Sequence, residues 1–256
     1  MPKVPLIDMH THLWSDATGL APNPSDLPVL QRMADRFHIE HVVLIPLFGG
    51  LCPTPAHIAA GNAHAAAAAH TDGRFKPLVT VYPRHEKGFT LDQIERHMDS
   101  GVFVGVKVWV SQADEACMNP VIEAMIEQDC PVLIHSMHKS VGQLALESDP
   151  THIATLARRY PEAKIILPHI GGNFYYTCEV IADLPNVYTD PSGTYCETGM
   201  VEHAVKVLGA ERILFGSDAP GADFANNLAK VLAADLPPEV MGKILYGNAM
   251  RLWGWG

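Results

Sequence analysis

The chain has 256 residues, of which 48% are hydrophobic and 18% are charged, and its formal net charge is −10. This composition is typical of a globular protein, and the negative charge argues against general binding to nucleic acid or to anionic membranes. No apolar run is long enough to span a bilayer, and the N-terminal residues lack the apolar stretch of a signal peptide. The five cysteines are scattered and form no C-x-x-C pair, so we expect a cytoplasmic protein with reduced thiols.

Eight short apolar segments recur along the chain at fairly even spacing. Buried parallel strands are continuous apolar runs of this kind, so each segment predicts a strand. In chain order the predicted strands span residues 4–9, 41–47, 75–82, 102–110, 131–135, 164–169, 186–190 and 212–217.

Helical segments lie between the predicted strands. Thr90 opens a capping-box pattern, and prolines follow Asn119 and Asp149, all of which are helix-start signals. The predicted helices span 25–38, 54–71, 90–99, 120–128, 150–160, 174–182, 198–208 and 222–234, and one or two closing helices fall within 237–253. Strict β-then-α alternation over ~250 residues predicts an α/β fold in which residues 1–256 form one domain, a (β/α)₈ TIM barrel with closing C-terminal helices. An open doubly wound sheet is the alternative, but no G-x-G-x-x-G follows the first strand.

Polar side chains collect where the predicted strands end, which in a TIM barrel is the face that carries the active site. His10 and His12 are two residues apart at the end of the first strand. Because side chains alternate along a strand, both imidazoles leave the same face, and Met9 and Thr11 are expected to face the helices. The fifth, sixth and eighth strands end at or beside three further polar residues, namely His135, His169 and Asp218.

The fourth strand adds a lysine to this set. Its four alternate valines form one face that must pack on helices, so the other face points into the barrel. That inward face consists of Phe103, Gly105, Lys107 and Trp109.

Burying several imidazoles, an ammonium and a carboxylate at one level is costly unless a cation or ion pairing compensates. Each residue alone has a simpler explanation: a strand-end histidine is usually a core residue, and Asp218 alone would serve equally well as a helix cap. Their joint occurrence at the ends of five strands favours a metal site, and imidazole and carboxylate ligands suit Zn²⁺, Mn²⁺ or Fe²⁺.

Six sequence segments resemble the amidohydrolase superfamily, and in particular its amidohydrolase-2 branch of hydrolases and decarboxylases. The segments are IDMHTH at 7–12, GVKVW at 105–109, VLIHS at 132–136, ILPHIGG at 166–172, ILFGSDAP at 213–220 and ILYGNAMRLWG at 244–254. They follow the order of the family's motifs from one end of the chain to the other.

The resemblance implies a divalent metal ion, Zn²⁺ in the first place with Mn²⁺ as the alternative. It implies that the ion is held by His10, His12, His135 and Asp218. It further implies that Asp218 is the general base, that His169 polarises the substrate or transfers a proton, and that Lys107 contacts the substrate or Asp218. In some two-metal members the position of Lys107 carries a carboxylated lysine, so one metal and two metals both stay open.

The predicted function is a metal-dependent hydrolase that cleaves an ester, lactone or amide of a small carboxylate. A decarboxylase of a small aromatic or cyclic carboxylate is the alternative, and a non-catalytic metal-binding protein is a further one. Arg84, Trp109 and Lys139 are the candidates for binding the substrate. A lyase that forms a Schiff base through Lys107 would leave the histidines unexplained. We expect a small-molecule partner and no nucleic acid or membrane, and the sequence leaves a homo-oligomer open.

Overall fold

The computed structural model describes residues 5–255, so Val4, which begins the first predicted strand, lies outside the described residues. The strands are β1 (Leu6–Trp14), β2 (Ile39–Leu47), β3 (Phe75–Pro77), β4 (Val79–Val81), β5 (Val106–Val108), β6 (Val132–Ile134), β7 (Ile165–Leu167) and β8 (Val187–Thr189). The helices are α1 (Asp26–Phe37), α2 (Pro55–Thr71), α3 (Lys87–Met98), α4 (Asn119–Glu127), α5 (Pro150–Arg159), α6 (Phe174–Val180), α7 (Met200–Leu208), α8 (Phe224–Leu232), α9 (Pro238–Gly242) and α10 (Asn248–Trp253).

All strand pairs are parallel, in the orders β1-β2-β3 and β4-β5-β6-β7-β8. β3 and β4 are two halves of one predicted strand that is interrupted at Leu78. The amide of Leu78 donates to the carbonyl of Leu44 in β2, and the amide of Val79 donates to the carbonyl of Gly105, each at 2.9 Å. The interrupted strand therefore joins the two sets of strands on either side of it.

Residues 213–219 complete the barrel between β8 and β1. One parallel bridge joins this segment to Thr189, and another joins it to Thr11. The amide of Asp218 also donates to the carbonyl of His10 at 2.7 Å. The predicted (β/α)₈ barrel is confirmed, and its eighth segment makes isolated bridges to both neighbours instead of a continuous ladder.

The predicted directions of Met9, Phe103 and Val104 were wrong, and Val104 packs against the cluster inside the barrel. Met9 packs inside the barrel with Ile7 instead of facing the helices, because β1 contains a register shift between Asp8 and Thr11 that changes the alternation. Phe103 packs in the outer layer, 4.7 Å between ring centroids from His97 of α3.

The cause of the error at Phe103 is Gly105, which has a φ of 154°. Its backbone breaks the alternation between Phe103 and Lys107, and an added Cβ would lie 2.4 Å from the carbonyl oxygen of Pro131. This conformation and this close approach both require glycine.

The start of α3 also differs from the prediction. The helix begins at Lys87, so Thr90 lies in its first turn and does not cap it. Capping boxes occur instead at α2 and α5, where Thr54 pairs with His57 and Asp149 pairs with His152. In both boxes a histidine takes the place of the usual glutamate or glutamine.

The barrel has an apolar interior and a covered lower end, which confines the polar groups to the upper end. Inside, Ile45, Leu133, Ile166 and Leu214 pack together. At the N-terminal ends of the strands, Trp253 of α10 packs against this cluster and its indole N–H donates to the carbonyl of Val104 at 2.8 Å. Across residues 5–255 we find no helix with both the length and the apolar character needed to cross a bilayer.

Candidate metal centre

Three side chains from two neighbouring segments converge at the C-terminal end of the barrel strands. Nε2 of His12 lies 2.7 Å from Oδ1 of Asp218, and Nε2 of His10 lies 3.7 Å from the same oxygen. One candidate ligand atom from each of the three residues lies within 4.8 Å of the others. Both imidazoles are buried, whereas Asp218 is partly accessible.

The donor atoms of this cluster fit a divalent cation. Within the described residues, Nε2 of His10 and Nδ1 of His12 are buried and have no hydrogen-bond partner. Buried polar atoms without partners are rare in folded proteins, and each one calls for an explanation such as an ion. Two imidazoles and a carboxylate are ligands that zinc and manganese both accept.

The loop after β8 orients two of the histidines. Nδ1 of His10 lies 3.3 Å from Oδ2 of Asp190 and 3.1 Å from Oγ of Ser192. Nδ1 of His169 lies 2.9 Å from the same hydroxyl and 3.2 Å from the carbonyl of Ser192. The tautomer that satisfies these contacts has its proton on Nδ1 of each ring, which leaves each Nε2 as an electron-pair donor.

His169 lies beside the cluster, with its ring centroid 5.0 Å from that of His10. Together with His10 and Asp190 it forms a second group whose ligand atoms lie within 4.8 Å of one another. His169 and Asp218 both have a φ of 62°, a conformation that costs non-glycine residues about 1–3 kcal/mol and that is concentrated at functional sites.

His135, the fourth predicted ligand, bonds to a carboxylate outside the cluster through Nε2. Its Nε2 binds Oε1 of Glu147 at 2.8 Å, and Nζ of Lys139 binds the two oxygens of the same carboxylate at 2.6 and 2.8 Å. The His135 ring lies 5.5 Å from that of His169, between centroids. The structure therefore brings His10, His12 and Asp218 together and places His135 next to them.

The predicted substrate-binding residues differ in where they lie. The Trp14 ring lies 5.2 Å from that of His12, between centroids, so this indole borders the cluster. Trp109 packs against the far side of this contact, with its ring centroid 5.7 Å from that of Trp14. The guanidinium of Arg84 binds Glu115 at 2.6 Å, and Lys139 binds Glu147. Both cations thus already have carboxylate partners.

Lys107 differs from these two cations. It is 1% exposed, as predicted for an inward-facing residue of β5. Over residues 5–255 its ammonium makes no hydrogen bond or ion pair within bonding distance. Burial lowers the pKa of Lys107 to about 7, although the charges of Asp218 and Asp190 oppose this shift. Among the described residues, the barrel end therefore holds a buried lysine amine without a direct partner.

Comparison with known proteins identifies the family. Residues 7–255 of the chain match the sequence profile of a protein family whose description is Amidohydrolase. The chain belongs to the amidohydrolase family. Enzymes of this family depend on divalent metal ions, in agreement with the donor set described above.

Two solved structures share the fold of this amidohydrolase. A 2,6-dihydroxybenzoate decarboxylase from Rhizobium is 17% identical, with a TM-score of 0.80 over 98% of this chain and 99% of that chain. A dihydroxybenzoic acid decarboxylase from Polaromonas sp. JS666, with bound manganese and the inhibitor 2-nitroresorcinol, is 19% identical, with a TM-score of 0.78 over 98% of this chain and 97% of that chain.

A curated relative matches part of the amidohydrolase chain. A dihydroorotase from Synechococcus sp. (strain RCC307) is 29% identical over 117 residues, which are 40% of this chain. The match spans only 33% of the length of that relative.

The charges of the amidohydrolase site depend on each other. Burial lowers the pKa of His12 to about 4, against the hydrogen bond to Asp218. Burial alone would raise the pKa of Asp218, but His12 and His10 hold it well below its usual range. Likewise, contacts with His10 outweigh burial and lower the pKa of Asp190. At neutral pH the site therefore holds ionised carboxylates and a neutral His12.

Sequence reasoning missed three site residues, namely Asp190, Ser192 and Glu147. Asp190 and Ser192 stand at the end of a predicted strand, and that position was the signal that could have found them. Glu147 lies in a loop with no periodic pattern. Burial alone would raise its pKa, but the hydrogen bonds from His135 and Lys139 lower it to about 2.

Proposed function

We propose that this amidohydrolase is a metal-dependent decarboxylase of a small aromatic carboxylate. The observation that carries the proposal is the convergence of His10, His12 and Asp218 next to the Trp14–Trp109 pair and close to Lys107, a buried amine that has no direct partner among residues 5–255. The indole rings favour a flat aromatic ligand. The ammonium of Lys107 offers the charge that would attract the ligand's carboxylate. The fold shared with two benzoate-type decarboxylases agrees with this substrate class.

His10, His12 and Asp218 would hold the metal ion, and when bound the ion would supply Lewis-acid stabilisation of an oxygen of the substrate. His135 as a fourth ligand stays a prediction, since its Nε2 is bonded to Glu147. Zinc and manganese stay alternatives. His169 would lie beside the substrate with Nε2 available, because its Nδ1 is occupied by Ser192.

Decarboxylation replaces the carboxylate with a proton: the bond from the ring carbon to the carboxylate breaks, its electron pair stays on the ring, and the carbon gains a proton. Asp218 would carry this proton. Because Asp218 is ionised, it can accept a proton from a substrate hydroxyl or from water and return it to the ring carbon. Trp14 and Trp109 would shield the reacting carbon from bulk water.

Hydrolysis is the second candidate, and the partial match to a dihydroorotase favours it. The same Asp218 would then accept the proton of an attacking water, and no carbon dioxide would form. The two reactions therefore use the same residues and differ in their products.

The test is a product analysis on protein loaded with zinc or manganese. The substrates are 2,6-dihydroxybenzoate, 5-carboxyvanillate and dihydroorotate, each incubated in D₂O. We expect carbon dioxide from an aromatic acid, with one deuterium in the ring of the product for each molecule released. Ring opening of dihydroorotate without carbon dioxide would overturn the decarboxylase proposal in favour of hydrolysis.

Two variants test the residues of the site. His10→Ala and Asp218→Asn should each lose turnover and weaken metal binding at least about tenfold. His70→Ala is the matched control, since this exposed histidine at the end of α2 bonds to the carbonyl of Ala66 and to no other described residue. Full turnover in either site variant would refute the assignment.

A further inference from the structure

A buried lysine outside the metal centre holds the loop that orients the histidines. Lys230 lies in α8 and is 9% exposed. Its Nζ donates to the carbonyl of Pro191 at 2.8 Å and to the carbonyl of Gly193 at 2.9 Å. These two carbonyls flank Ser192, the residue whose hydroxyl contacts both His10 and His169.

The alternation of carbonyls explains why the lysine matters for the site. The carbonyls of Pro191 and Gly193 point to Lys230, whereas the carbonyl of Ser192 accepts from Nδ1 of His169 at 3.2 Å. The lysine thus fixes the outward side of the loop, and the residue between the two anchored carbonyls faces the histidines.

The backbone conformation of this loop is also restricted at both of its ends. Gly193 has a φ of 91°, and a Cβ added there would lie 3.0 Å from Nδ1 of His169. Asp190, at the other end of the loop, accepts from His10 and from the amide of Ser192. Burial lowers the pKa of the Lys230 ammonium, because transferring its charge from water into the protein costs free energy. The hydrogen bonds to the two carbonyls offset this cost.

We propose that Lys230 is a positioning residue of the metal centre, acting through Ser192 on His10 and His169. This inference rests on the proposed function, because it takes His10 as a metal ligand. Removing the ammonium would release both carbonyls and let Ser192 turn away from the two Nδ1 atoms. The histidines would then lose the partner that sets their tautomer and ring orientation, and groups that hold metal ligands in this way typically contribute 10–100-fold to metal affinity.

The test measures Co²⁺ binding by visible absorption, which needs no substrate. Lys230→Met and Ser192→Ala should each raise the Kd for Co²⁺ about tenfold and change the absorption spectrum. Lys230→Arg, which can still donate to both carbonyls, should restore most of the affinity. The double variant should bind Co²⁺ no more weakly than the weaker-binding single variant. The reason is that the effects of two substitutions on the same chain of contacts do not add.

Lys164→Met is the matched control. This lysine also donates to a backbone carbonyl, that of Asp129 at 2.8 Å, but it precedes β7 at the opposite end of the barrel. Its removal should leave the Kd unchanged. If Lys230→Met does not fold by circular dichroism, Lys230→Gln takes its place, with an expected affinity between those of wild type and Ser192→Ala.

The outcomes separate the two proposals. Failure of the wild-type protein to bind Co²⁺ overturns the metal centre itself. Wild-type binding together with an unchanged Kd and spectrum in the Lys230 variants overturns the positioning role alone, and so do effects of Lys230→Met and Ser192→Ala that multiply in the double variant.

Discussion

Gly216 packs so closely against the metal centre that a single methyl group should disturb both stability and metal binding. A Cβ added at Gly216 would lie 2.6 Å from Cβ of His10, and 3.3 Å from both Cγ of Asp190 and Sδ of Met9. Ordinary contacts begin at 3.4 Å, so His10 or the segment must move by about 0.8 Å, the difference between 3.4 and 2.6 Å. All three neighbours are fully buried and have no space into which to move.

We expect Gly216→Ala to destabilise the fold by about 1–3 kcal/mol, the usual cost of overpacking a close-packed site. For a protein of this size each kcal/mol lowers Tm by about 2–4 °C. Metal–ligand distances tolerate only about 0.2 Å, so the displaced imidazole should also weaken metal binding about tenfold or more. Calorimetry and a Co²⁺ titration measure the two effects.

Gly242→Ala is the control for this substitution. An added Cβ there meets no atom within 4 Å, and the residue ends the helix α9, so alanine should leave stability unchanged or raise it by up to about 1 kcal/mol. Wild-type Tm and wild-type Co²⁺ affinity in Gly216→Ala would refute the reasoning.

Two further substitutions and one labelling reaction test other parts of the chain. Glu147→Gln removes the charge shared by His135 and Lys139 and should cost about 1–3 kcal/mol in urea unfolding; a cost below about 0.5 kcal/mol would show that the carboxylate does not hold the loop. Arg212→Met should cost about 3 kcal/mol or more in the same assay, because the buried guanidinium donates to four backbone carbonyls; a marginal loss would contradict this. Burial raises the pKa of the Cys178 thiol to about 12, so a thiol reagent at pH 8 should label exposed Cys196 and spare Cys178 until the protein unfolds; peptide mapping that finds early labelling of Cys178 would refute the burial.

The order of the elements and the cluster at the strand ends could be predicted because both depend on short-range patterns. Continuous apolar runs indicate buried parallel strands, and the ends of such strands meet at one face of a barrel. His10, His12 and Asp218 therefore needed only their positions relative to those runs to be placed together. Lys107 was likewise placed inside the barrel by the valines on either side of it.

What the sequence did not reveal depends on individual backbone angles and on loops. The register shift in β1 reverses the side-chain direction of Met9, and the φ of Gly105 reverses that of Phe103. Neither feature changes the pattern of apolar residues from which these directions were predicted. Glu147 lies in a loop whose path is set by tertiary contacts, so no periodicity points to it. Its pairing with Lys139 and His135 was hidden for the same reason.

The candidate metal centre lies across the junction at which the barrel closes. His10 belongs to the first strand and Asp218 to the last, and these two strands meet only when the ring is complete. A cation held between them would tie together segments some two hundred residues apart in the chain. Its removal should loosen this junction before any other part of the barrel, and amide hydrogen exchange should then accelerate first along these two strands.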